Sequence, residues 1–189
     1  MTKEEIRKAI RKRKSLLSDA EKHDAASKVF TALEKFTPFI NAKKVLLYHS
    51  LPDELPTHEF IEKWHTKKSI FLPRVNGDNL EILPYKPTTL QFGAYNIKEP
   101  NGNDITNIND IELIIVPAIA YDRNGNRIGR GKGYYDRLLS KASATKIGVG
   151  YDFQLIDTIK TEPHDIAMDL IITVSNIVYI NNPIKKTQL

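Results

Sequence analysis

Cysteine is absent from the 189 residues. That rules out disulfides, thiolate metal ligands and a cysteine nucleophile, so any metal must be held by oxygen or histidine. Long apolar runs are missing too. None approaches the roughly 20 residues needed to cross a bilayer, and the N-terminus is a charged amphipathic segment without the apolar core of a signal peptide. A cytoplasmic protein with no membrane partner is expected. No repeat, low-complexity tract or linker interrupts the chain, whose length suits one domain over 1–189.

The formal net charge of +5 raises the question of nucleic acid, and its distribution answers it. Residues 1–14 hold seven basic side chains against two acidic ones, and the remainder carries 21 of each sign. The excess lies in one segment, no nucleic-acid-binding motif accompanies it, and no nucleic-acid partner is expected.

The segment Asn124-Gly-Asn-Arg-Ile-Gly-Arg-Gly-Lys-Gly-Tyr-Tyr-Asp-Arg137 concentrates glycines, cations and a carboxylate. Gly129, Gly131 and Gly133 alternate with Arg130 and Lys132, so the backbone can approach a ligand closely. Tyr134 onward reads as the start of a helix, whose free N–H groups and positive dipole end suit an anion. Arg127, Arg130 and Lys132 add positive charge, and Asp136 is placed to hold a cation that bridges phosphate oxygens. A Walker A loop requires Ser or Thr after Gly-Lys, and a dinucleotide loop requires Gly where Tyr134 stands. The pattern therefore suits nucleotide phosphates without being either common fingerprint. A solvated basic turn is the ordinary alternative.

Around this segment the periodicity alternates between helix and strand. Thr2 with Glu5 and Ser18 with Glu21 form two capping boxes, which start helices over about Lys3 to Leu17 and from Ser18 through Leu33. Lys3 and Arg7, four apart, share a face suited to a polyphosphate or simply to solvent. Lys44 to His49 reads as a strand, and the loop Ser50 to Pro56 leaves its C-terminal end, where ligands collect in open α/β sheets. Asp53 and Glu54 are candidates there for substrate donor groups. Thr57 is expected to cap a third helix through Phe60, Ile61 and Trp64. Further strands are expected at Ser69 to Leu72, Leu80 to Leu83, Lys146 to Gly150 and Leu170 to Val174, with an edge strand at Asn176 to Ile180 and a helix over Gln154 to Ile159. Leu90 to Asp110 reads as mostly irregular, with Glu99-Pro100 either a ligand wall or a plain turn. Glu112 to Pro117 is apolar enough to be a central parallel strand, leading toward the glycine segment. Near the end, His164, Asp165 and Asp169 form a polar stretch in which either aspartate suits a magnesium site with Asp136. The fold class is α/β.

These residues together resemble the 5-formyltetrahydrofolate cyclo-ligase family. The resemblance rests on Lys3-x-x-x-Arg7, Tyr48-His-Ser-Leu-Pro-Asp-Glu54, Leu72-Pro-Arg74, Glu99-Pro100, Val116-Pro-x-x-Ala-Tyr-Asp122, Asn126 through Arg137, and His164-Asp165. It implies an ATP- and magnesium-dependent ligase that converts 5-formyltetrahydrofolate to 5,10-methenyltetrahydrofolate with release of ADP and phosphate. The implied fold is a three-layer α/β/α arrangement with a mostly parallel sheet, similar to the sugar-phosphate isomerase and CoA-transferase-like proteins. By the same resemblance Lys3, Arg7, Arg127, Ile128, Gly129, Arg130, Gly131, Lys132, Gly133, Tyr134 and Tyr135 contact ATP. His49, Glu54 and Arg130 to Tyr134 contact the folate, Arg130 and Lys132 are catalytic, and Asp136 and Asp165 bind magnesium. Ile128 stands where leucine is expected, Tyr121 where phenylalanine is common, and His49 where some relatives carry an apolar residue. A monomer or weak dimer is expected.

Overall fold

In the computed structural model, which describes residues 1–93 and 96–180, both capping boxes form. Thr2 Oγ1 accepts from the Glu5 amide at 3.2 Å, and the Thr2 amide donates to the Glu5 carboxylate at 2.7 Å. Helix α1 spans Lys3–Lys14, three residues short of the expected end at Leu17. The chain tightens there, with the Leu16 and Leu17 amides donating to Arg13 and Lys14. Helix α2 is Asp19–Leu33, capped by Ser18 and Glu21. A short α3, Thr37–Asn41, was not expected; Pro38 suits its first turn and Phe39 is buried.

Strand β1 is Lys44–Leu46, and α4 is His58–Trp64. Thr57 precedes α4 as expected but does not cap it through its side chain. Its hydroxyl instead donates to the Tyr48 carbonyl at 2.6 Å and accepts from the Ser50 amide at 3.1 Å, while Ser50 Oγ accepts from the Thr57 amide at 3.0 Å. This exchange closes the base of the loop that carries Asp53 and Glu54.

Strands β2 (Ser69–Asn76) and β3 (Asn79–Pro84) form a hairpin that turns at Gly77, where φ is 58°. The segment expected to be irregular contains a second hairpin, β4 (Leu90–Phe92) with β5 (Lys98–Pro100). Next comes β6, Leu113–Val116, all four residues buried. It does not run straight into the glycine segment. A small antiparallel pair, β7 (Ala120–Asp122) and β8 (Arg127–Ile128), intervenes before α5 (Tyr134–Leu139). Asp122 closes that turn: its buried carboxylate accepts from the amides of Asn124, Asn126 and Ile159 and from the Asn126 side chain, each at 2.9 Å.

Strand β9 (Thr145–Val149) follows. The helix expected over Gln154 to Ile159 is absent; a 3₁₀ turn at Asp152–Gln154 leads into β10, Leu155–Ile156, which pairs parallel with β7. The spacing of Leu155, Ile156 and Ile159 mimics a helix face. The Gln154 amide group, however, donates to the carbonyls of Ala118 at 2.9 Å and Ile119 at 3.1 Å, tying the segment to the β7 approach instead. Strands β11 (Leu170–Ile172) and β12 (Ile177–Tyr179) complete the order.

The main sheet has seven strands in the order β12-β11-β9-β6-β1-β2-β3, with β6 at its centre. Its five inner strands are parallel, and β12 and β3 are antiparallel edges. Side chains alternate across it. Leu113 and Ile115 pack on the face covered by α2, α3 and α4, whereas Ile114 and Val116 pack on the face covered by Leu138 and Leu139 of α5. A strand buried on both faces has no polar alternation, which is why β6 reads as a continuous apolar run. Helix α1 lies outside these layers, its Ile6 and Ile10 packed with Ile119, Ala120, Ile128 and Ile159 over the small β10-β7-β8 sheet. No helix among the described residues is long and apolar enough to cross a membrane.

The small sheet locks onto the large one through Tyr121. Its buried hydroxyl donates to the Val116 carbonyl at 2.5 Å, and its ring lies where a Cβ on Gly148 of β9 would come within 2.5 Å. Gly148→Ala should therefore destabilise the protein by about 1–3 kcal/mol, the usual cost of overpacking. The expected readout is a lower urea midpoint with an unchanged m-value.

Candidate active site

A cavity of about 550 Å³ opens between α1, the glycine segment, the loop after β1 and the β2–β3 and β4–β5 hairpins. That volume falls in the usual range for small-molecule sites. The residues to which the family resemblance gives a role all line it, namely Lys3, Arg7, His49, Glu54, the run Arg127 to Asp136, and Asp165, whereas Asp53 and Asp169 do not.

The glycine segment is shaped by its backbone. Gly131 has φ 101° and Gly133 has φ 70°, the left-handed region closed to most side chains. Gly133 stands at the N-cap of α5, so the first amides of the helix face the loop. The ends of the segment are pinned together, because Arg127 Nη2 donates to Asp136 Oδ1 at 2.7 Å with only 4% of the arginine side chain exposed. Arg127 Nε is the one buried side-chain polar atom among the described residues without a hydrogen-bond partner. A donor left in that state costs about 1–3 kcal/mol, and beside this loop it suits an anionic oxygen.

Helix α1 reaches the same loop. Arg7 Nε donates to the Gly129 carbonyl at 3.0 Å, and Lys3 Nζ lies 3.0 Å from Glu162 and 3.1 Å from Asp165. Burial disfavours the charged Lys3 ammonium, but these two carboxylates outweigh it and raise its pKa. Asp165 moves the opposite way: burial would raise it, and the Glu162 amide together with Lys3 brings it down.

The loop after β1 contributes Glu54, whose Oε2 accepts from the Leu51 amide at 2.9 Å and whose Oε1 faces the Arg130 guanidinium at 3.1 Å. Arg130 also pairs with Asp53 at 2.6 Å. Burial opposes the guanidinium charge, yet Glu54 and Asp53 raise its pKa, so this arginine bridges the two loops as a fixed cation. His49 stacks on His58 with ring centroids 4.0 Å apart. Burial, with the His58 and Lys98 charges adding to it, pushes the His49 pKa down to about 4.

The two metal candidates stand differently. Asp136 is held by Arg127. Asp165 belongs to a cluster with Glu162 and His164 whose ligand atoms lie within 4.8 Å of one another, and Asp136 is not a member of it. Asp169, the alternative to Asp165, does not line the cavity; its carboxylate accepts from the Lys146 amide at 2.8 Å and ties β9 to β11. Oxygen donors from Asp165 and Glu162 match the chemistry of a hard divalent ion. Glu162 was not singled out from the sequence, and neither were the apolar residues of the far wall, Pro73, Val75, Leu80 and Ile97. Alternation along β2 and β3 was the available signal, but it marks a buried face without saying that the face meets a ligand.

Asp136→Ala would strand the Arg127 guanidinium and should lower stability by about 3 kcal/mol, measurable by urea unfolding. His49 gives a pH prediction. Its folded-state pKa lies below its unfolded value, so the fold holds the neutral ring; that contribution is complete above about pH 6.5 and is lost as pH falls toward 4. The His49 imidazole resonances should accordingly stay at neutral-ring positions down to about pH 5, and a titration centred near 6.5 would contradict the burial described.

The sequence profile described as the 5-formyltetrahydrofolate cyclo-ligase family matches residues 1–174. The chain is 29% identical to the 5-formyltetrahydrofolate cyclo-ligase of Escherichia coli, covering 89% of this chain and 98% of that one. It is 31% identical to the enzyme of the same name from Mycoplasma pneumoniae, covering 91% and 98%. The fold superposes on the 5,10-methenyltetrahydrofolate synthetase of Aquifex aeolicus with a TM-score of 0.88 at 33% identity, over 96% of this chain and 94% of the other. With the profile spanning most of its length and full-length relatives agreeing, the chain belongs to the 5-formyltetrahydrofolate cyclo-ligase family.

Proposed function

We propose that this protein converts 5-formyltetrahydrofolate to 5,10-methenyltetrahydrofolate with cleavage of ATP to ADP and phosphate. The observation that carries the reading is the convergence on one cavity of a glycine-backed cationic loop, two cations from α1 and an acid-bearing loop at the C-terminal end of β1. A formamide oxygen is a poor leaving group, so it must be activated before the neighbouring N10 closes the ring. The formyl oxygen attacks the γ-phosphate and displaces ADP, N10 adds to the formyl carbon and gives up its proton, and phosphate departs with the former formyl oxygen. Catalysis then consists mostly of positioning and charge neutralisation.

In this scheme the amides at the start of α5, with Arg7, Arg127 and Lys132, receive the phosphates, and the orphaned Arg127 Nε supports that assignment. Arg130 and Lys132 stabilise charge on the transferring phosphoryl group. Ile128 and Gly129 to Tyr135 form the nucleotide wall, while His49, Glu54 and Arg130 to Tyr134 meet the folate. Asp165 with Glu162, and Asp136 from α5, supply carboxylates for magnesium. The ion would neutralise phosphate charge there, and Lys3 sets the charge of the Asp165 group before nucleotide arrives.

Protein mixed with MgATP and 5-formyltetrahydrofolate should generate the near-ultraviolet absorbance of the methenyl product, and chelation of divalent ions should abolish it. Lys132→Ala should lose about 10²-fold or more in kcat, the scale of removing one transition-state charge partner, while its circular dichroism stays native. A folded wild-type protein that forms no product would overturn the reaction assigned, and unchanged turnover in Lys132→Ala would remove that lysine from the phosphoryl site.

A further inference from the structure

Arg127 lines the cavity, but Arg137 of α5 does not. Its exposed side chain folds back over the glycine segment from outside the cavity. Nη2 donates to the Lys132 carbonyl at 2.9 Å, and Nε, at 2.8 Å, together with Nη2 donates to the Asp78 carbonyl at the β2–β3 turn. The guanidinium carbon lies 5.4 Å from the centroid of the Tyr134 ring, and Nη1 sits where a Cβ on Gly133 would come within 2.7 Å. One planar fork therefore joins a hairpin turn to the loop that carries Lys132 and Gly133.

Holding the Lys132 carbonyl fixes the other end of the same peptide unit. A trans peptide is planar, with its C=O and N–H pointing opposite ways, and no described peptide bond is cis. Lys132 and Gly133 both line the cavity, so a carbonyl drawn to Arg137 outside it turns the Gly133 N–H toward it. That amide donates to no group among the described residues. Glycine tolerates either sign of φ, so without an outer anchor this unit can turn over and point its carbonyl oxygen at the cavity instead. The cavity is independently marked for an anion by Arg127 Nε, a donor without a partner on a side chain only 4% exposed.

We propose that Arg137 is a positioning residue for the nucleotide: clasped between the β2–β3 turn and the glycine segment, it locks the Lys132–Gly133 peptide with its N–H toward the phosphates. This rests on the function proposed above. Arg137 itself touches no substrate, and its effect passes through the backbone. The Asp78 carbonyl is the fixed point, since it belongs to the hairpin that carries Pro73, Val75 and Leu80 of the cavity wall. An ammonium cannot reproduce a fork whose donors reach two carbonyls at once. Because the guanidinium is exposed, its removal leaves global stability nearly unchanged.

Arg137→Ala should raise the KM for MgATP at least about tenfold, with the KM for 5-formyltetrahydrofolate and the melting temperature at wild-type values. Millimolar guanidinium chloride should restore much of the lost ATP affinity to this variant, and sodium chloride at the same concentration should not. Arg137→Lys, which keeps the charge and loses the fork, should behave like the alanine variant and provides the test if that variant does not fold. In isotope-labelled protein the Gly133 amide resonance should move downfield when wild type is saturated with ADP, and should not move in Arg137→Lys. A wild-type KM for MgATP in either variant, a loss that guanidinium does not relieve, or a Gly133 amide indifferent to ADP in wild type would each overturn the inference. Those results leave wild-type turnover intact, whereas a folded wild type that neither binds ATP nor converts 5-formyltetrahydrofolate would overturn the proposed function as well.

Discussion

The buried pair between Arg127 and Asp136 is the constraint on which the site depends. It joins β8 of the small sheet to the first turn of α5, and so fixes the distance that residues 128–135 must span. With its ends held, a segment containing Gly129, Gly131 and Gly133 forms a defined loop instead of sampling the many states open to glycine. Burying a guanidinium is costly unless its partner is well placed, and the pair leaves Arg127 Nε unsatisfied. That is a local sacrifice of stability beside the proposed phosphate position.

Outward from this pair, each layer of the fold contributes one wall. The parallel sheet ends at the loop after β1, closed by the Thr57 and Ser50 exchange, and Arg130 ties that loop to the glycine segment. The β2–β3 turn meets α5 through the Tyr134 hydroxyl, which donates to the Gly77 carbonyl at 3.2 Å, and through Arg137, which donates to the Asp78 carbonyl. Helix α1 covers the remaining side. Its basic character, which on composition alone suits solvent equally well, has a specific local use, since Lys3 and Arg7 both make contacts across the cavity.

What was legible in the sequence was local or periodic. Thr2, Glu5, Ser18 and Glu21 announce their helices because a capping box is complete within four residues, and Leu113 to Val116 announces a strand buried on both faces. The glycine loop was legible because its chemistry is contiguous. Several of the misreadings share one cause, which is that a side chain finds a better partner outside its own local segment. Gln154 to Ile159 has helical spacing, but Gln154 bonds to Ala118 and Ile119. Thr57 occupies a cap position, but its hydroxyl serves Tyr48 and Ser50. Asp165 and Asp169 were equivalent in sequence, and only the pairing of β9 with β11 sends one into the sheet and leaves the other at the cavity. Glu99 was ambiguous for the same reason: the amide that holds its carboxylate, that of Val75, lies 24 residues away.

The reach of α1 has a consequence for how the protein is made. Lys3 and Arg7 are synthesised well before their partners, since Arg7 binds a carbonyl 122 residues later and Lys3 a carboxylate 162 residues later. During translation the helix can form on its own local signals, but it has nothing to hold until β8 and the segment before β11 have left the ribosome. The cavity therefore cannot exist before those segments emerge, and a nascent chain that stalls earlier carries the basic helix without the pocket that gives it a purpose.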